Sequence, residues 1–257
     1  MKNLIDYINE GILGDVDDVL ANGDTDIAEL MIMDIINAVY KIKKSTKLEI
    51  IPVKNENGKY TVNAVGDVEV KDRSIKTLVN DVFEWGEVDG EFSVWKCVNL
   101  TNLEGSPKIL TGGYNANSCP KLVSLEGAPE QTEDFYCVNC ASLKTLKGAP
   151  KRVLNVFNCS YCPALTTLEG APEIVTGEFN CSQCNNLRTL AGISMEIGNG
   201  INARGCEKLI NVGTPPRKIY GKIYVPAAIY FKTVETFGPV CRGSRSFSSD
   251  QQIFSTM

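Results

Sequence analysis

The most constraining feature of this chain is a repeat of about 22 residues. Phe92, Tyr114, Phe135, Phe157, Phe179, Ile201 and Ile223 follow one another at steps of 22, 21, 22, 22, 22 and 22. The unit reads F-x-C-x-x-C-x-x-L-x-x-L-x-G-x-P-x-x-V-x-G-x, with its clearest copy at 157–178, FNCSYCPALTTLEGAPEIVTGE. Leu100, Leu122, Leu143, Leu165, Leu187 and Leu209 hold one column, and Gly105, Gly127, Gly148, Gly170, Gly192 and Gly213 another. One such unit cannot bury its own apolar face. Stacked units can, each touching its neighbours, so the repeat predicts a solenoid. Its strands should centre near 92–94, 114–116, 135–137, 157–159, 179–181, 201–203 and 223–225, all parallel in one sheet. The two-residue period of a strand then turns Phe157 and Cys159 inward and Asn158 and Ser160 outward.

The cysteines invite a metal reading, because Cys137/Cys140, Cys159/Cys162 and Cys181/Cys184 are C-x-x-C pairs. The repeat argues against it. The first column runs Val94, Ala116, Cys137, Cys159, Cys181, Ala203, Val225, a slot for a small apolar group, which a free thiol satisfies. The second is cysteine throughout, at Cys97, Cys119, Cys140, Cys162, Cys184 and Cys206. There the thiol can donate weakly to loop carbonyls. Four metal ligands must converge on a point, whereas a solenoid places equivalent residues in a line. No metal and no cofactor is therefore expected, and the thiols of Cys137, Cys159 and Cys181 should be buried without disulfides.

The pattern resembles leucine-rich repeats, especially the short bacterial kind written L-x-x-L-P-x-L-P-x-x-L-x-x-L-x-V-x-x-N. "LTTLEGAP" stands in the place of the L-x-x-L-P-x-L-P stretch, "FNCS" in that of the strand, and Cys162 and its equivalents at the asparagine position. The unit is about two residues longer than the family's, and a glycine replaces the leucine of the L-P pair. The resemblance covers about residues 88–225 and implies a curved solenoid with one short parallel strand per repeat.

Around this core the expected class is α+β: an N-terminal helical and strand cap over 1–63, a solenoid of six to seven rungs over 64–225, and a cap and tail over 226–257. Residues 2–10 and 15–21 read as short helices, and 27–44 (IAELMIMDIINAVYKIKK) as a helix apolar almost all round. That helix needs cover, either against the first rungs near Trp85 or in a homodimer. LEIIPV and KYTVNAV, joined by NENG, read as two strands, and VGDVEV at 65–70 as a degenerate first rung. The acidic run GDVDDVLANGDTD fails calcium-loop spacing around Gly23, since position 20 is Leu.

Function follows by exclusion. With no histidine and no phosphate loop, the chain is not expected to be an enzyme. A net charge of −5 without a basic run argues against nucleic acid. No apolar run approaches the ~18 residues of a membrane span, and no secretory signal is visible, so a cytoplasmic location is expected. A protein partner remains. The outward row Ser93, Asn115, Tyr136, Asn158, Asn180, Asn202, Tyr224, with Trp95 beside it, has the polar and aromatic composition of a binding surface. The same asparagines could instead form a ladder that only supports neighbouring strands. Finally, Ile8-Asn9-Glu10-Gly11 resembles the capsid-targeting peptides of tailed-phage head proteins, which a prohead protease cuts after a hydrophobic-x-Glu. That implies cleavage between Glu10 and Gly11 and a phage-encoded protein, acting in the host cytoplasm or packaged in the virion.

Overall fold

The computed structural model describes residues 25–42, 45–51 and 53–249. At the N-terminal end, α1 (Thr25–Val39) leads into β1 (Tyr40–Ile42), then the hairpin β2 (Lys47–Ile51) and β3 (Tyr60–Val65), then β4 (Val68–Val70) and β5 (Phe83–Asp89). The expected turn at NENG is present, with the Gly58 N–H donating to the Asn55 carbonyl at 2.9 Å. The helix is shorter than its apolar pattern predicts. Residues 40–42 leave it to pair antiparallel with β4, because Tyr40, Lys41 and Ile42 alternate inward and outward as a strand requires. Ile32, Ile35 and Ile36 are buried, and Tyr40 stands edge-on to Trp85 at 5.1 Å between ring centres. The helix thus covers the first rungs of its own chain, while Leu30 stays 66% exposed.

The regular rungs follow. They comprise β6 (Phe92–Ser93) and β7 (Ile109–Leu110), β8 (Tyr114–Asn115) and β9 (Gln131–Thr132), β10 (Phe135–Tyr136) and β11 (Arg152–Val153), β12 (Phe157–Asn158) and β13 (Ile174–Val175), and β14 (Phe179–Asn180) and β15 (Glu196–Ile197). Then come β16 (Gly200–Asn202) and the longer β17 (Lys218–Val225). The strands of the phenylalanine column pair in parallel, in the register of the repeat: Phe92↔Tyr114↔Phe135↔Phe157↔Phe179↔Ile201↔Ile223. The fold is a parallel β-solenoid of about eight turns.

Three expectations are corrected. The rung count exceeds six to seven, because the C-terminal end continues the stack with weaker sequence beyond a first rung that lies at 65–70 as expected. Val68 of β4 pairs with Phe92, 24 residues on, and β18 (Cys241–Ser249) pairs parallel with β17, putting Phe247 opposite Ile223 at the same spacing. The repeat therefore does not stop at Val225. The chain detours through α2 (Tyr230–Phe237) and returns to the sheet. Helix is correspondingly sparse, so a β-solenoid describes the architecture better than an even α+β mixture. The third correction is that each regular rung carries two strands. Thr132, Val153, Val175, Ile197 and Ile219 form a second parallel ladder, and all are buried.

The repeat's odd positions are explained by how closely rungs approach. Gly127 lies at φ +92°, and a Cβ there would sit 2.2 Å from the backbone nitrogen of Glu104 in the preceding rung. Only glycine tolerates both the left-handed backbone and the contact. This is why the column is glycine in every regular rung. The residue before each second cysteine is also left-handed: Lys96, Ser118, Asn139, Tyr161 and Gln183 all lie at φ 58–60°. Inside, Tyr114, Phe135 and Phe157 stack at 5.2 and 5.6 Å with rings nearly parallel. Tyr114 is the one regular rung's tyrosine, and its hydroxyl lies 2.7 Å from Ser106 Oγ, which donates to the Leu103 carbonyl. Ser106 occupies the slot held by Ala128, Ala149 and Ala171 elsewhere, so the buried hydroxyl has the partner that burial demands.

Candidate binding surface

The site is built from the segment that follows each strand of the first ladder. An asparagine on the strand bends the chain. Its Oδ1 accepts the backbone N–H two residues on, at 3.1 Å for Asn115 to Asn117, 3.0 Å for Asn158 to Ser160, 3.0 Å for Asn180 to Ser182 and 3.3 Å for Asn202 to Arg204. The left-handed residue comes next, and then the second cysteine turns in. Each of these thiols donates to the first-column carbonyl one rung back: Cys119 to Val94, Cys140 to Ala116, Cys162 to Cys137 and Cys184 to Cys159 at 3.2 Å, and Cys206 to Cys181 at 3.1 Å. This is the weak-donor role expected of the column. Burial pushes two of the column's thiols up, Cys97 to about 11 and Cys119 to about 12. All ten cysteines are buried, and none forms a disulfide among the described residues. Among the described residues, no group of three or more Cys, Asp or Glu is arranged to hold a metal, and no helix is long and apolar enough to cross a membrane.

The candidate residues come together as one row. Asn115, Tyr136, Asn158, Asn180, Asn202 and Tyr224 lie opposite one another strand by strand, extended by Glu69 and Ser93 at one end and Ser248 at the other. Rungs in such a ladder repeat at ~4.8 Å. The row is half-buried rather than prominent, Ser93 is buried, and Ser160, expected to face out, is buried beside its turn. Each of the four asparagines has its oxygen engaged by its own turn, while its Nδ2 group has no hydrogen-bond partner among the described residues. The turn therefore explains why asparagine recurs here, and the amide donors are left facing the surface side of the strand.

The aromatic residues at the ends of the row carry cations. Lys96 Nζ lies 4.2 Å and the Arg73 guanidinium 5.4 Å from the centre of the Trp95 ring, and the Arg204 guanidinium lies 3.5 Å from that of Tyr224. Arg73 also pairs with Glu69 and donates to the Trp95 carbonyl. Trp95 remains 39% exposed. Tyr136 sits mid-row, its phenol raised above the ordinary tyrosine value by partial burial and by Asp134 beside it. Sequence reasoning missed these cations. Arg73 comes from the rung before and Arg204 from the row beside, so only the stacking brings each onto its ring. Glu10 and Gly11 lie outside the described residues.

The fold defines a parallel β-solenoid with a polar, aromatic-ended strand row. No known protein family, curated protein or solved structure matches the chain in the comparisons made.

Proposed function

We propose that this chain is a non-enzymatic protein-binding module of leucine-rich-repeat type, encoded by a bacteriophage and acting in the host cytoplasm to block or sequester a host protein. The observation that carries the reading is the row of asparagine amides. Their oxygens are engaged by the turns and their N–H donors have no partner among the described residues, so the row suits a partner that presents acceptors, such as backbone carbonyls, at strand spacing. Trp95, Tyr136 and Tyr224 supply the large rigid contacts that dominate interface energetics. The test is capture of a partner from host lysate, followed by affinity measurement with variants. Trp95→Ala or Tyr136→Ala should weaken binding by ~1–3 kcal/mol. Lys147→Ala, on the loop side where Lys147 pairs with Glu126 at 2.8 Å, should not. A loop-side change that hurts binding more than both aromatic changes rejects the row as the site.

The second reading, a virion protein packaged through its N-terminus, rests on Ile8-Asn9-Glu10-Gly11. It requires the protein in purified particles with a new N-terminus at Gly11, which mass spectrometry reads directly.

A further inference from the structure

The second ladder has a place where its regular pairing breaks. In the regular rungs, the residue after each proline donates to the rung before: Lys151 N–H to the Glu130 carbonyl at 2.8 Å, and Glu173 N–H to the Lys151 carbonyl at 2.9 Å. Between the N-terminal sheet and these rungs that bond is missing. Neither Lys108 nor Glu130 donates a backbone bond to the preceding rung, and β7 and β9 belong to different sheets. Meanwhile β5 is seven residues long and paired along β3 from Phe83 to Asp89, but β7 meets it only at Glu87 and Val88. Among the described residues, the edge of β5 at Phe83–Trp85 has no strand beside it.

That edge faces a groove of about 780 Å³. The Tyr60 N–H donates to the Val82 carbonyl, so Val82 points toward β3, and by alternation the main-chain groups of Phe83 and Trp85 point the other way, to the groove. The Phe83 N–H is held by Asn80 Oδ1, leaving the Phe83 carbonyl and both groups of Trp85. Val79, Ile109 and Leu154 present exposed apolar surface along the walls, and Ala128 forms part of the floor. Pro107, the residue before Lys108 in the next rung, has no N–H to offer. At the rim, Glu104 has no ion-pair partner among the described residues, whereas Lys108 is paired with Glu84 at 3.6 Å and Glu130 with Lys151 at 3.3 Å.

We propose that this groove binds an extended polypeptide segment of a partner, which adds as a strand to the free edge of β5, packs alternate aliphatic side chains against Val79, Ile109 and Leu154, and places a basic side chain at Glu104. Strand addition supplies main-chain hydrogen bonds, and pockets for alternate side chains supply selectivity. The volume lies within the ~300–1,000 Å³ typical of ligand grooves. The site is independent of the asparagine row.

The probe is an acetylated, amidated hexapeptide of sequence Thr-Val-Lys-Val-Thr-Val, added to the full chain at millimolar concentration. Amide exchange read by NMR should slow at Trp85 by about tenfold or more, as a main-chain bond forms there. N-methylation of alternate peptide nitrogens on the pairing edge should abolish the protection. Leu154→Asp, at an exposed position, should weaken binding about tenfold, and Ala128→Trp should fill the groove and remove it. Glu104→Lys should reverse the preference, favouring the same peptide with glutamate in place of lysine. Trp95→Ala and Tyr136→Ala should leave peptide binding unchanged, so failure here is distinct from failure of the strand row. The proposal is overturned if Trp85 gains no protection, if the N-methylated peptide binds as well, or if Glu104→Lys leaves the preference intact. It is also overturned if the groove instead joins two copies of the chain, seen as concentration-dependent association that Leu154→Asp removes.

Discussion

The rung at 157–178 and the N-terminal end of the molecule bury aromatic rings of similar size by different means. Phe157 is covered above and below by Phe135 and Phe179, so its rung manages with strands of two residues. Trp85 has a regular rung on one side only. It is enclosed by Tyr40, Phe83 and Phe92 in edge-on or steeply tilted contacts, beneath a helix and within strands of five to seven residues. A middle rung inherits its cover from copies of itself, whereas an end rung must import cover from segments that do not repeat. In a stack held by nearest-neighbour contacts, a fault in the middle weakens the rungs on both sides of it, and a fault at the end frays the stack.

The sharpest way to break the comparison is at glycine. Gly127→Val should destabilise by more than about 4 kcal/mol, since the new side chain meets the Glu104 backbone in a left-handed conformation. Gly58→Ala, in the N-terminal hairpin at φ +71° with nothing within 4 Å of the added carbon, should cost only about 1 kcal/mol. Equal effects in chemical denaturation would mean that rung contact does not set the glycine column. Next, Phe157→Ala and Trp85→Ala should each cost ~3–5 kcal/mol. They should differ in kind: the first lowers the midpoint of a single transition, and the second separates an early loss of hydrogen-exchange protection over β2–β5 from the rest. One shared transition for both would merge the two regions.

Alkaline pH sharpens the contrast more gently. The thiols of Cys97 and Cys119 are raised by burial from the ordinary 9.0 to about 11 and about 12. Their protonated forms are favoured only in the folded state, so the stability they contribute is fully present below pH ~9 and declines as pH rises toward ~11–12. Replacing both with alanine should make the alkaline decline less steep, and an unchanged slope between pH 9 and 11 would contradict the burial. Smaller still, Cys162→Ala should cost ~1–2 kcal/mol through a small cavity and a lost bond to the Cys137 carbonyl, with no loss of bound metal by elemental analysis. The smallest effect has the opposite sign. Tyr161 is exposed and held at φ 58°, so Tyr161→Gly should stabilise by up to about 1 kcal/mol.

Legibility in the sequence followed the same division. The phenylalanine ladder and its register were readable because Phe135, Phe157 and Phe179 repeat in chemistry as well as in spacing. The second ladder repeats in spacing too, but Thr132, Val153 and Ile197 vary in chemistry and sit beside the proline and glycine columns, so they read as turn. The N-terminal end rung was legible at 65–70, but the C-terminal one escaped for a related reason. Phe247 is offset from Ile223 by 24 residues, and its neighbours carry none of the cysteine and leucine columns. The outward row was legible as a list of residues. Its chemistry was not, because whether an asparagine oxygen faces a partner or its own turn depends on the backbone bend after the strand.

What the sequence alone determined, then, is what one rung dictates to the next: a periodic apolar column can be buried only by stacking, so the solenoid, its strand register and the inward thiols follow from spacing. What only the tertiary structure decided lies between rungs and at their ends. The Arg73 and Lys96 cations on Trp95, the helix and Tyr40 over Trp85, and the unpaired edge of β5 beside Glu104 each depend on which residues of non-repeating segments meet in space. Periodicity carries no information about those meetings, because they are set by packing distances and by unpaired backbone groups that no local pattern encodes.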